Sequence, residues 1–357
     1  MFRRIMLPAT AIWRKPATLY HAGFRAEHSP PMTTRVRNEA VVSMVLELNA
    51  YNYRLRLAPQ YGATLLEAEW HHADGSWVEL LEPLVTPEAG LKAGCFVMAP
   101  FANRIDGGRF AFEGKTVQLP INAPQEGMAI HGFSRMHSWE VVETSDNRVH
   151  VRDEVHSDDH PYSYRLDQII DIAPDGFRIS LSIQNEGDSA LPFGIGLHPW
   201  FSKTNKATLE FQSNGAPQLD KRGLPQGIPE AIDWFTPGNT IALSKLSLVN
   251  CCFTGWNREA TIRWPETSTG LRLKGQGALR HLHVFNPQDR AAFCAEPVSH
   301  LPDVINRPAL GEDAAMTVLN PGEALTGALL FSAHLLPDNA PGTCRNLRSS
   351  NTGKALK

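Results

Sequence analysis

From about Met44 onward the chain repeats short runs of alternating apolar and polar residues, each closed by Gly, Pro, Asn or Asp. Successive side chains leave a strand on opposite sides, so a period of two marks strands with one buried face. Residues 45–48 and 53–57 follow it. Residues 109–112 and 116–119, joined by Glu113-Gly114-Lys115, predict a hairpin. The same pattern predicts hairpins over 139–151 around Asp146-Asn147 and over 164–183 around Asp175-Gly176. Later runs at 207–211, 261–264, 271–274, 281–285, 291–295 and 324–331 continue it, and helical periodicity beyond two turns is almost absent.

An all-β chain with no obvious linker and no repeat at propeller spacing is most simply one large antiparallel β-sandwich. Two smaller sandwiches are the alternative. The domain is expected over 42–337. The 42% hydrophobic content of the whole chain, with 16 Phe and 8 Trp, is ample for a packed core.

The net charge of −3 over 357 residues conceals a segregation. Residues 39–337 carry 23 basic and 35 acidic side chains, whereas residues 1–38 carry seven and one, and residues 338–357 four and one. Residues 1–41 are expected to form a basic, disordered extension without a secretory signal, and 338–357 a disordered basic tail. A start at Met32 or Met44 remains the other reading of that first stretch. An acidic body argues against nucleic acid as a partner, and no apolar run is long enough for a spanning helix. Cys95, Cys251, Cys252, Cys294 and Cys344 are odd in number with no C-x-x-C spacing, so reduced thiols and a cytoplasmic location are expected.

Two histidines stand out. His131 lies in Gly127-Met-Ala-Ile-His-Gly-Phe133 and His198 in Gly194-Ile-Gly-Leu-His-Pro-Trp-Phe201. Glycine lets backbone approach a ligand closely, and aromatics such as Trp200 suit the apolar faces of sugar rings. A Gly-flanked histidine in a tight sheet corner is the structural alternative. Glu296 follows an apolar strand and precedes Pro297, a setting in which desolvation would raise a carboxyl pKa and make a base. Asn103 and Arg104 offer an amide and a guanidinium to hydroxyls. His281 and His283 share a strand face, but no third ligand is spaced near them, so no metal is expected. Nucleotide-binding and serine-hydrolase motifs are missing, and no cofactor is expected.

Taken in order, these segments resemble the aldose 1-epimerase (mutarotase) family. Asn103-Arg-Ile-Asp-Gly-Gly-Arg-Phe110 is similar to its N-R-I-x-x-G-R-F block, and Leu119-Pro-Ile-Asn122 to the L-P-x-N that follows. His131-Gly132, Leu197-His-Pro-Trp-Phe201 and Ala295-Glu-Pro297 match its later elements. Phe253-Thr-Gly-Trp256 with Trp264-Pro265 resembles one bacterial branch. The resemblance spans about Tyr61 to Gly322 and implies a β-supersandwich that interconverts the α and β anomers of a free aldose. It implies Glu296 as base, a protonated His198 as acid, His131 as orienting group, and Arg104 and Asn103 as hydroxyl binders. Where many members carry an acidic residue, this chain has Asn250. The implied partner is a neutral hexose or pentose, acted on by a monomer or homodimer. A sugar-phosphate epimerase and a non-catalytic sugar-binding protein of the same fold are the alternatives.

Overall fold

The alternation in the sequence becomes alternation in burial. In Tyr164–Ala173 buried and half-buried side chains alternate at every position. Tyr164, Leu166, Gln168, Ile170 and Ile172 point inward, and the amide of the one polar member, Gln168, donates to the Ala63 carbonyl at 3.1 Å. A buried amide without such a partner would be destabilising. This strand pairs antiparallel with Gly176–Asn185 across the expected turn. The hairpin expected over 139–151 appears as Glu140–Thr144 against Arg148–Val155, and that over 109–119 as Arg109–Phe112 against Lys115–Gln118.

These contacts come from a computed structural model that describes residues 44–337 apart from 239. The expected extension over 1–41 and the tail over 338–357 lie outside the described residues. No described segment is an α-helix; seven single turns of 3-10 helix join the strands. No helix among the described residues is long and apolar enough to cross a membrane.

Two large antiparallel sheets enclose one apolar core. One runs, in spatial order, Glu140–Thr144, Arg148–Val155, Tyr164–Ala173, Gly176–Asn185, Ala324–Leu335, Thr269–Gly277, Glu259–Trp264 and Thr208–Phe211. The other runs Leu46–Ala50, Tyr53–Ala58, Thr64–His71, Cys95–Met98, Gly196–Ser202, Ala292–Val298, His281–Asn286 and Val249–Phe253, with Trp77–Glu79 added beside Thr64–His71. Leu197, Phe201, Leu282, Val284, Phe293 and Ala295 of this second sheet join Leu166, Ile179, Leu271 and Phe331 of the first in the shared core. The intervening residues of the same strands therefore emerge on the opposite face.

Pro199 sits inside a central strand, where proline is normally excluded because it cannot donate to the ladder. Here the pairing with Ala292–Val298 is made at Gly196↔Val298 and resumes at Trp200↔Cys294. The interrupted stretch contains His198. Outside the two sheets, Arg104–Asp106 pairs with Met128–Ile130 in a small two-stranded sheet.

Candidate active site

Strand register assembles the centre of the site from residues far apart in sequence. On the face turned away from the core, Phe96 stands opposite His198, Glu296 opposite His283, and His283 opposite Cys252. The pairs Gly196↔Val298 and Trp200↔Cys294 bracket His198 and Glu296, so these two are cross-strand neighbours. Their side chains meet, with His198 Nε2 3.3 Å from Glu296 Oε1. Trp200, Cys294, Phe285 and Asn250 form the next row.

The pair is almost sealed from water, the side chains being 8% and 2% exposed. Desolvation opposes charge on both groups. Burial raises the Glu296 carboxyl well above the usual carboxylate range, with the Arg104 charge opposing. Burial likewise pushes His198 down to about 3, helped by His283 and Arg135. The electrostatics therefore favour a neutral pair holding one proton, with that proton on Glu296. This differs from the standing imidazolium expected from sequence, and the reason is burial. His198 Nδ1, Glu296 Oε2 and the Trp200 indole Nε1 are buried without a hydrogen-bond partner among the described residues.

Aromatic packing fixes the imidazole. Phe96 stacks on it at 4.4 Å between ring centres and Trp200 at 5.4 Å, while the His131 ring meets it edge-on at 5.1 Å.

His131 and Asn103 reach this face from the small sheet, and each pins the other. The His131 amide donates to the Asn103 carbonyl at 2.8 Å, and the Asn103 amide donates to His131 Nδ1 at 3.2 Å. The second bond makes Nδ1 an acceptor, so a neutral His131 carries its hydrogen on Nε2. Burial and the nearby His198 and Arg135 push its pKa well down. Both residues have left-handed backbone, φ 61° for His131 and 56° for Asn103. Gly132 follows at φ 67°, and a Cβ there would lie 1.9 Å from the Ala99 carbonyl oxygen, so glycine is required. The Asn122 side chain clamps the loop by accepting from the Ile130 amide at 2.7 Å and donating to its carbonyl at 2.9 Å.

A polar chain crosses the site. Arg104 is bonded to Glu126 at 2.9 Å and to Asn103 Oδ1 at 3.2 Å. Asn103 Nδ2 lies 3.5 Å from His283 Nδ1, and His283 Nε2 lies 2.9 Å from Asn250 Oδ1. His283 is pushed down to about 3 by burial and by the Arg104 charge. All seven residues singled out from sequence, Asn103, Arg104, His131, His198, Trp200, Asn250 and Glu296, thus belong to one connected cluster. The amide of Asn103 is engaged at both ends, and the oxygen of Asn250 is taken by His283.

His281 and His283 do share a face, but His281 donates to the Asp313 carbonyl at 2.9 Å and His283 to Asn250. Among the described residues the groups with metal-ligand chemistry that come together are His198, Cys294 and Glu296, whose ligand atoms lie within 4.8 Å of one another. Burial raises the Cys294 thiol well above its usual value, so it is held as a neutral thiol.

The aldose 1-epimerase family model matches residues 44–332. The chain belongs to that family. It is 30% identical over 271 residues to the uncharacterized Escherichia coli protein YphB, covering 72% of this chain and 90% of YphB. It is 23% identical over 245 residues to the aldose 1-epimerase of the same organism, covering 64% and 68% of the two chains. A crystal structure of a candidate aldose 1-epimerase from Escherichia coli K12 superimposes with a TM-score of 0.72 at 26% identity, covering 82% of this chain and 99% of the other. A galactose mutarotase-like protein from Clostridium acetobutylicum shares the fold, with a TM-score of 0.71 at 19% identity over 82% and 95% of the chains. The two sheets are therefore the galactose mutarotase-like sandwich.

Three residues around this cluster were not assigned to it from sequence. His283 was legible as a face-mate of His281, yet its place opposite Glu296 depends on a strand pairing that alternation alone does not specify. The Arg135 guanidinium carbon lies 5.9 Å from the Phe96 ring centre, and that of Arg290 lies 4.3 Å over Trp200. Neither has a local sequence signature.

Proposed function

We propose that the protein is a cofactor-independent aldose 1-epimerase that interconverts the α and β anomers of a free aldose. The single observation that carries this reading is the contact between His198 and Glu296, two groups of opposite acid–base type at 3.3 Å in a nearly dry site. Anomer exchange needs a base at the O1 hydroxyl and an acid at the ring oxygen O5.

In the proposed reaction Glu296, as carboxylate, takes the O1 proton while His198, as imidazolium, delivers one to O5. The C1–O5 bond breaks and C1 becomes an aldehyde. Rotation about C1–C2 presents the other face, O5 adds back, and both protons return. Ring opening leaves Glu296 protonated and His198 neutral. That is the distribution the dry site favours, so the same electrostatics that oppose the starting ion pair stabilise the opened state. The Arg104 charge and a bound O1 hydroxyl offset the cost of the initial carboxylate.

The remaining side chains take binding roles. His131 donates from Nε2 to the sugar near O5, and Arg104 binds hydroxyls beside Glu296. Asn103 holds Arg104 and His283 in position, Asn250 offers its amide N–H groups, and Trp200 stacks beside the ring with its indole N–H free to donate. Free, buried thiols at the four described cysteines fit a reducing, cytoplasmic setting.

Polarimetry of freshly dissolved α-glucose and α-galactose tests the reading. The wild-type protein should speed equilibration of an aldose, and Glu296→Gln should lose at least about a hundredfold of that rate. Full activity in Glu296→Gln, or no acceleration of any aldose by the wild type, would overturn it.

A further inference from the structure

Cys294 stands two positions before Glu296 in the strand Ala292–Val298, opposite Trp200. Side chains two apart on a strand leave it on the same side. The thiol therefore reaches the space that His198 and Glu296 share, and one ligand atom from each of the three lies within 4.8 Å of the other two. The acid–base reaction gives this thiol no part. All three residues are buried, and Glu296 Oε2 and His198 Nδ1 have no hydrogen-bond partner among the described residues. Sequence spacing hides the set, because His198 lies far along the chain from the other two.

A thiolate, an imidazole and a carboxylate are the donor types that Zn2+ takes, and three protein ligands with one open position is an arrangement it commonly adopts. Bonds of about 2.0–2.3 Å put the atoms of a tetrahedral set about 3.3–3.6 Å apart. His198 Nε2 and Glu296 Oε1 already stand at 3.3 Å. The sulfur has on the order of 1 Å to close. Phe96 and Trp200 stack on the imidazole and hold it in place, so little ordering is needed on binding. Charge selects the metal. A nearly dry site opposes a lone carboxylate or a lone imidazolium, but Zn2+ with one thiolate and one carboxylate sums to zero. A hard cation such as Mg2+ or Ca2+ requires a shell of oxygens, and this set offers one carboxylate.

We propose that His198, Cys294 and Glu296 form an inhibitory Zn2+ site, in which the metal replaces the proton that the acid–base pair shares. Binding sends two protons to solvent, one from the Cys294 thiol and one from the Glu296 carboxyl, and His198 ligates as the neutral imidazole. The inhibition rests on the epimerase reading, whereas the coordination does not. With the metal bound, Glu296 Oε1 is no longer free to accept the O1 proton, and His198 Nε2 has no proton to give O5. Sugar and metal thus compete for the same two side chains. Cys294 serves the metal alone, so inhibition and catalysis separate at one residue.

Titration of the chelator-stripped, full-length protein with Co2+, the spectroscopic stand-in for Zn2+, tests the site. One equivalent should bring up thiolate-to-cobalt charge transfer and the d–d bands of a tetrahedral ion, and Zn2+ should abolish both. In polarimetry with whichever of α-glucose and α-galactose turns over faster, Zn2+ should raise KM and leave kcat unchanged, and chelator should restore the rate. Cys294→Ser should lose the charge-transfer band and keep turning over the sugar. Its Zn2+ inhibition should weaken at least about tenfold, since even an outer partner of a metal ligand is worth that much. No thiolate band in the wild type, or a band that survives in Cys294→Ser, would overturn the site, and the wild-type spectrum stands even if the variant fails to fold. A band accompanied by undiminished mutarotation would overturn the inhibition. A wild type that binds cobalt through Cys294 but accelerates no aldose would bring down the epimerase reading and leave the metal site standing.

Discussion

His283 donates its Nε2 hydrogen to the side-chain oxygen of Asn250 across 2.9 Å. That oxygen is therefore already engaged by His283, and the NH2 group is the part of the Asn250 amide with no such partner. An acid there would behave differently, because a carboxylate beside an imidazole favours the charged ring.

Asn250→Asp should accordingly raise His283 from about 3. The expected shift is roughly 1–3 units, the usual effect of an opposite charge within contact distance. Imidazole chemical shifts followed through a pH titration read it directly. An unchanged His283 would mean that the two side chains do not meet in solution. The added negative charge should also weaken binding of anionic sugars more than that of neutral ones, which a KM comparison on one protein preparation measures.

The pH dependence of catalysis follows from the shared proton of the His198–Glu296 pair. Below its acid limb the pair takes a second proton and has no base. Above its alkaline limb it loses the first and has no acid. Burial lowers His198 to about 3 and raises Glu296, so the acid limb of kcat/KM should fall well below the ordinary histidine value and the alkaline limb well above the ordinary carboxylate value. Both limbs belong to the pair and not to either residue alone. An acid limb near 6.5 would show that His198 works as an ordinary solvated imidazole, contrary to the burial observed.

Two glycines with the same backbone angle separate strain from crowding. Gly127 and Gly132 have φ of 66° and 67°. A Cβ on Gly127 meets nothing within 4 Å, whereas one on Gly132 meets the Ala99 carbonyl oxygen at 1.9 Å. Gly127→Ala should therefore cost about 1 kcal/mol, the strain of left-handed backbone alone. Gly132→Ala should cost clearly more, and by displacing His131 it should reduce kcat as well. Urea unfolding and polarimetry on the two variants check both parts, and equal costs would refute the crowding account.

How much was legible beforehand differs between the sheet and the site. Alternation in stretches such as Tyr164–Ala173 predicts strands because one face must be buried, and turn residues such as Asp175-Gly176 predict where they reverse. Which strand lies beside which is not written locally. Gly196–Ser202 pairs with Cys95–Met98 and Ala292–Val298, partners about a hundred residues away on each side. The candidate acid and base could be named from their motifs, and the fold does bring them together, but the proton balance of His198 could not be read, since it depends on burial in the assembled fold. His283 shows the same limit, since the sequence marks it only as a face-mate of His281 and register alone sets it opposite Glu296.

Protons also link the site to the stability of the fold. His131, His198, His281, His283 and His300 are all held neutral by burial, with His281 and His300 pushed to about 4 and His198 and His283 to about 3. His300 illustrates why, since its Nε2 accepts from the Ala102 amide at 3.0 Å and its Nδ1 donates to the Leu301 carbonyl at 2.8 Å, leaving no room for a second proton. In the unfolded chain each would titrate near 6.5. As pH falls below 6.5 the unfolded state takes up protons that the folded state refuses, so stability is present above that value and is lost progressively toward pH 4 and 3. Each histidine contributes up to about 1.4 kcal/mol per pH unit in that window. Glu296, protonated in the fold and ionised when unfolded above about pH 4.5, and His137, raised by its hydrogen bond to Asp153, act in the opposite sense, but the depressed histidines, which include His160 and His334, outnumber them. Urea unfolding between pH 7 and 4.5 should therefore show a steep loss of stability toward acid, and His281→Gln should reduce the slope by about one proton. Stability that stays level or rises over that range would mean that these imidazoles are solvated and that the site is wetter than its geometry indicates.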